Sequence, residues 1–261
     1  MTKETLKKYH QELKSILDKQ PKPPRETIAY IARYIGGVDH EKRKPDEQSQ
    51  LVYLGVGTEA KRAADKIGFS FSKLSQDEQA EIWNYIWYNS NTFEEKWYAL
   101  NFFNKKSTLK VITKYWDLLK IWVADVDNWA HSDTLSGIYA TVLESDHKKY
   151  LPYFRKLNKS KNPWERRQSI VGLYFYTRLR KKTLPAKIGL EFVENLIDDK
   201  HIYIQKGVGW TLREIYQVDE NAQLAFVKKN IKRIAPAAYY ATVEKYPAKL
   251  KAEVKILRMK K

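Results

Sequence analysis

YIQKGVGWTLREIY, residues 203–216, and WERRQSIVGL, residues 164–173, are the stretches whose reading decides the fold. Each opens on an aromatic residue and carries a cation three positions on, Lys206 and Arg167. Small and aliphatic residues then follow at helical spacing. Working outward, an aromatic residue opens a helical segment at Phe93, Trp129, Trp164, Tyr203 and Tyr240, in steps of 36, 35, 39 and 37 residues. A second helical segment fits into each interval. A two-helix unit near this period cannot bury its apolar face alone, so neighbours must stack, which is the pattern of a HEAT-like α-solenoid. The apolar pattern is helical almost everywhere, with no convincing period-two run. The expectation is an all-α protein, an α-α superhelix of HEAT-like repeats. It forms a single domain over residues 1–261, with a concave basic groove along one face.

Local signals mark the boundaries. Pro21, Pro23 and Pro24 end the first helix, Thr58 reads as the N-cap of TEAKRAADKI, and Thr92 with Glu95 reads as a capping box. Further breaks fall at Ser145-Asp146, Asn162-Pro163, Asp198-Asp199 and Pro236. Residues 36–50 are polar and bear Gly and Pro, a loop insertion, and residues 249–261 form a basic C-terminal tail. LGVGTEAKRA contains Gly-x-Gly but neither a third glycine nor Gly-Lys-Ser/Thr, so a turn into the Thr58 helix explains it better than a nucleotide loop.

Charge narrows the partner. Lys and Arg number 48 against 31 Asp and Glu, a net charge of +17. A polyanion is favoured, because each neutralised phosphate releases a condensed counterion. The absence of cysteine excludes disulfides, thiolate zinc sites and a cysteine nucleophile, and suits a reducing compartment. His10, His40, His131, His147 and His201 lack metal-ligand spacing, so neither a metal nor a cofactor is expected. The first twenty residues lack the continuous apolar run of a signal peptide, so none is expected, and no apolar run of about 18 residues occurs. The expectation is a cytoplasmic monomer that does not engage membranes.

Candidate chemistry lies on the helices. Trp129 and Asp133 are four residues apart, on one helix face. Arg166 and Arg167 sit near a helix start, and Lys206, Trp210 and Arg213 line one stripe of their helix. An indole between two cations suits sugar and phosphate better than a core. Taken singly, a tryptophan is more often core, Asp133 a salt-bridged residue and Arg167 a solvated cation; the joint placement carries the weight. Glu78, Glu81, Glu191 and Glu194 read as solvated helix faces.

At this point the chain resembles the DNA alkylation repair (AlkD-like) DNA glycosylases, a HEAT-like helical family. YIQKGVGWTLREIY is the most specific match, NWAHSD resembles the family's Trp-x-x-x-Asp motif and NPWERRQSIVGL its Trp-x-x-Arg helix. IARYI followed by YLGVGTEAKRA resembles the opening helices, which places Tyr34 in the groove. The similarity runs over about residues 28 to 245. It implies that Asp133, Trp129, Trp210 and Arg167 are catalytic and that Tyr34, Arg166, Lys206 and Arg213 contact DNA. Asn128 stands where the family often has a second Trp, and His131 and Ser132 where smaller or apolar residues are common. The implied activity is monofunctional excision of cationic alkylated bases, of the 3-methyladenine and 7-methylguanine type, from double-stranded DNA. A non-catalytic binder of unusual DNA structures and a protein-interaction scaffold are the alternatives.

Overall fold

The computed structural model describes residues 1–36, 44–57 and 68–259. Among these residues the regular secondary structure is helical, apart from an isolated parallel bridge between Val52 and Thr92. None of the described helices is long and apolar enough to cross a membrane. The chain divides into two compact units, Met1–Thr134 and Leu135–Lys261.

In the first unit α1 (Lys3–Asp18), α2 (Arg25–Gly36), α3 (Gln76–Asn89) and α4 (Phe93–Asn104) precede short helical turns over 106–125 and the start of α5 (Trp129–Ser145). Helix α1 stops before Pro21, as the prolines demand. Ser75 opens α3 with a full capping box to Glu78. The box expected at Thr92 is only half made. Thr92 Oγ1 accepts the Glu95 N–H, but the Thr92 N–H donates to Ser90 Oγ and the Glu95 carboxylate pairs with His10 Nε2 at 2.8 Å.

Two adjacent carboxylates are therefore buried in the first turn of α4, which requires partners for both. Glu94 accepts backbone N–H groups from Leu54, Gly55 and Val56 at 2.9, 2.9 and 3.2 Å. At Glu95 burial opposes the charge, yet hydrogen bonds from His10 and Ser90 outweigh it and hold the carboxyl below its ordinary range. Behind α4, Trp87 and Trp122 stack at 4.5 Å, and Trp122 Nε1 donates to Asn84 Oδ1 at 2.9 Å.

In the second unit α6 (His147–Asn158), α7 (Pro163–Val171), α8 (Ala186–Glu194), α9 (Ile202–Val218), α10 (Glu220–Asn230), α11 (Pro236–Thr242) and α12 (Ala248–Met259) follow the rest of α5. Helix α9 packs against α7, α8, α10 and α11. Its small residues explain the motif. A Cβ on Gly209 would stand 2.2 Å from the Ala238 carbonyl oxygen of α11, and one on Gly207 would stand 3.3 Å from Ile170 and Val171 of α7. The two similar stretches of sequence thus pack against each other.

The repeat is written into the side-chain hydrogen bonds. In the first unit Tyr115–Asp77, Trp122–Asn84 and His131–Phe93 each link residues 38 apart. In the second, Asn195–Asn158 and Thr177–Glu214 link residues 37 apart and Arg233–Asp198 residues 35 apart. Successive repeats are stitched at about the spacing read from the aromatic residues. Helices begin at Phe93 and Trp129, and one residue before Trp164 and Tyr203. Tyr240 breaks the series: Pro236 opens that helix, and Tyr240 lies near its end and is 77% exposed. Proline's fixed φ and missing N–H suit a first helical position better than any aromatic does.

Of the three other boundaries, two can be placed. The Thr58 cap falls outside the described residues, as do residues 37–43 of the insertion. Its second half includes a 3-10 turn, Pro45–Glu47, and is fastened by Ser49 Oγ and the Gln50 N–H to the Asp127 carboxylate, at 2.9 and 2.7 Å. The stretch read as a basic tail is largely α12. Val254 is buried, and an Arg258 nitrogen donates to the Ile231 and Ile234 carbonyls at 3.0 and 2.8 Å.

Candidate active site

The first set of candidate residues lies in the first unit, at the start of α5. Asn128 caps this helix: its Oδ1 accepts the His131 N–H at 2.9 Å, satisfying one of the orphan donors of the first turn. Its Nδ2 lies 3.0 Å from His131 Nδ1, while His131 Nε2 lies 3.0 Å from the Phe93 carbonyl oxygen. A carbonyl only accepts, so Nε2 carries the proton and Nδ1 accepts from Asn128. One neutral tautomer satisfies both contacts. The His131 ring also stacks on Phe93 at 4.4 Å. Two of the three departures from the family pattern, Asn128 and His131, are therefore one buried network that fixes the entry of α5.

On the outer side of that turn Trp129 is half-buried and donates Nε1–H to the Tyr34 carbonyl at 3.2 Å. The Tyr34 ring, 52% exposed, meets the indole edge-on at 5.7 Å. The structure thus brings Tyr34 and Trp129 together. Asp133 follows one helical turn later and is partly exposed. The arrangement presents a carboxylate beside an indole whose orientation is fixed by a hydrogen bond and a ring contact.

The second set lies in the second unit. Trp210 of α9 is half-buried, stacks on Phe175 at 5.4 Å and has the Arg213 guanidinium over its ring at 5.4 Å. Arg213 is held there by Glu244 at 2.7 Å and Glu214 at 3.4 Å. Lys206 is exposed, with its ammonium over the Tyr203 ring at 5.4 Å. The expected stripe of Lys206, Trp210 and Arg213 lies on one helix.

The two arginines of α7 differ from their simplest readings. Arg167 is 6% exposed, its stem packed where Gly207 leaves room, and is not a solvated cation. Arg166 turns inward, with Nε on Asp199 at 2.8 Å and Nη1 on the Ser160 and Lys161 carbonyls at 2.9 and 2.8 Å. It ties the end of α6 to the start of α9, and those donors are committed within the protein. The four glutamates read as solvated are exposed, but each has a partner: Ser75 for Glu78, the N-terminal amine for Glu81, Arg155 for Glu191 and Arg233 for Glu194.

Sequence reasoning missed Phe175, Tyr176 and Arg178. Tyr176 meets Trp210 edge-on at 6.0 Å and lies 4.7 Å from the Phe175 ring. Their signal was the alternation of aromatic and basic residues in LYFYTRLRKK, residues 173–182.

The class defined by this architecture is a helical-repeat protein with indoles and cations at partly exposed positions. Residues 11–245 match the family described as DNA alkylation repair enzyme. The chain belongs to that family, whose enzymes act in the repair of alkylated DNA. Among solved structures, a predicted DNA alkylation repair enzyme from Enterococcus faecalis is 19% identical, covers 88% of this chain and 99% of its own, and superposes with a TM-score of 0.63. The fold is shared. AlkD2 from Streptococcus mutans is 18% identical, with 90% of this chain and 97% of its own covered and a TM-score of 0.48. No curated protein matches the chain.

Proposed function

We propose that this protein is a monofunctional DNA N-glycosylase that releases cationic alkylated bases, of the 3-methyladenine and 7-methylguanine type, from double-stranded DNA. The observation that carries the reading is the carboxylate of Asp133, one helical turn beyond an indole anchored to Tyr34.

The chemistry follows from the substrate. A base alkylated at N3 or N7 is already positively charged, so it leaves as a neutral species with the electron pair of the C1′–N bond and needs no general acid. The deoxyribose becomes oxocarbenium-like. Asp133 stabilises that charge and accepts a proton from the water that adds to C1′. Ordinary glycosidases need a second carboxylate to protonate their leaving group, and this reaction does not. Trp129 offers the sugar an indole face, which attracts a developing cation. Trp210 offers a second indole face for such contact, and Arg167 a guanidinium for backbone phosphate. Hydrolysis of this kind calls on no cofactor.

The charge of +17 supports a duplex as the partner. Asp133→Asn keeps the size and removes the charge. Release of free methylated base should fall by at least about 100-fold, while duplex affinity in a polarisation titration stays the same or rises slightly. Undiminished release by that variant would remove Asp133 from the mechanism.

A further inference from the structure

Tyr176 adopts φ +47° and is the one non-glycine residue with positive φ among the described residues. A side chain in that region is strained, and such strain persists only where surrounding contacts impose it. The contacts are visible. The Thr177 N–H and Oγ1 both donate to one buried oxygen of Glu214, at 3.0 and 2.9 Å. The Leu179 N–H closes the turn on the Tyr176 carbonyl at 2.8 Å. Arg180 pins the other side through the Phe175 carbonyl at 3.1 Å and Thr141 Oγ1 at 2.9 Å. The turn is built to hold the Tyr176 ring outward, against Trp210.

Over that ring lies the guanidinium of Arg178, 5.6 Å from the centroid. Arg178 is exposed, and among the described residues no carboxylate pairs with it. Other arginines of the second unit differ: Arg166, Arg180, Arg213 and Arg233 all contact carboxylates. A stacked guanidinium keeps its edge donors for a planar or tetrahedral anion, and stacking fixes their direction before the anion arrives.

We propose that the Tyr176–Arg178 turn is a phosphodiester-binding site, in which the Tyr176 ring holds the Arg178 guanidinium, next to Trp210, for one phosphate of the DNA backbone. The proposal rests on the DNA reading above. Arg178 binds the phosphate, and Tyr176 is a positioning residue that acts through Arg178.

The test is a polarisation titration of a fluorescent duplex with the full chain across a range of KCl concentrations. Each phosphate contact adds about 0.9 to the slope of log K against log salt. Arg178→Ala should lower the slope by about that amount and weaken binding several-fold, whereas Arg178→Lys should keep the slope. Tyr176→Ala should reduce the slope although the cation remains, and Tyr176→Phe should restore it. Lys187→Ala removes an equal charge from α8 and should leave the slope unchanged. An Arg178→Ala slope equal to that of the wild type would overturn the proposal, and so would an equal drop in Lys187→Ala. Wild-type protein that binds duplex with this Arg178 dependence yet releases no base would refute the glycosylase reading and leave the phosphate site standing. Wild-type protein that binds no duplex would refute both.

Discussion

Glu94 in the first unit and Glu214 in the second are both buried, and each fastens a loop to its own helix. Glu94 collects three consecutive backbone amides, from Leu54, Gly55 and Val56, whereas Glu214 takes the amide and hydroxyl of Thr177. Both loops contain a left-handed residue. In the first it is Gly55 at φ +83°, and in the second it is Tyr176 at φ +47°. Glycine enters this region freely, while a side chain there costs about 1–2 kcal/mol. The first loop supports Phe93, whose ring lies on His131 behind the start of α5. The second delivers a side chain to the surface at Trp210. Strain is found where a ring is wanted and avoided where only a brace is needed.

The comparison can be broken in order of expected effect. Glu94→Leu strands three amide donors and should cost more than about 3 kcal/mol in chemical denaturation. Glu214→Ala strands one amide and one hydroxyl, and should cost about 2 kcal/mol. A larger loss for Glu214→Ala than for Glu94→Leu would show that the two glutamates are not ranked by their amides. Gly55→Ala adds a Cβ only 2.6 Å from Ile28 at positive φ, and should cost at least about 1–2 kcal/mol. Tyr176→Gly relieves similar strain but loses the edge contact with Trp210, so stability should stay within about 1 kcal/mol of the wild type. Duplex binding by that variant should nevertheless weaken.

Acid should give the smallest effect. The Glu95 carboxyl is held below its ordinary range in the folded protein, so its contribution is complete above the unfolded-state range. It is lost as pH falls through the lower folded value. Thermal melts from pH 7 downward should show a decline below the ordinary glutamate range that is weaker in Glu95→Gln. A decline of the same size in that variant would assign the acid sensitivity elsewhere.

Much of this arrangement was legible in the sequence, for identifiable reasons. The starts at Phe93, Trp129, Trp164 and Tyr203 were readable because each lies beside a capping residue or a proline or repeats an aromatic spacing that stacking requires. Small residues after the cation were readable as a pattern, but only the structure shows that Gly207 and Gly209 are where α7 and α11 press on α9. Tyr240 misled because Pro236 sets that helix start. The two roles of arginine were not readable. Spacing makes Arg166 and Arg178 alike, and only the folded chain brings Asp199, 33 residues away, to Arg166. Glu95 read as half of an ordinary capping box because its partner His10 lies 85 residues away, and nothing marked Glu94 because its nearest amide partner in the chain is 38 residues away. For the same reason Asn128 and His131 appeared as two independent departures rather than one network.

The central claim is excision, and the products of a single incubation test it most directly. Duplex DNA carrying 7-methylguanine is treated with the wild-type protein, and the soluble fraction and the DNA are analysed separately. Free 7-methylguanine in solution, with an alkali-labile abasic site left in an otherwise intact strand, is the predicted result. Restored guanine in the strand, or 7-methylguanine still attached beside a tightly bound protein, would contradict it.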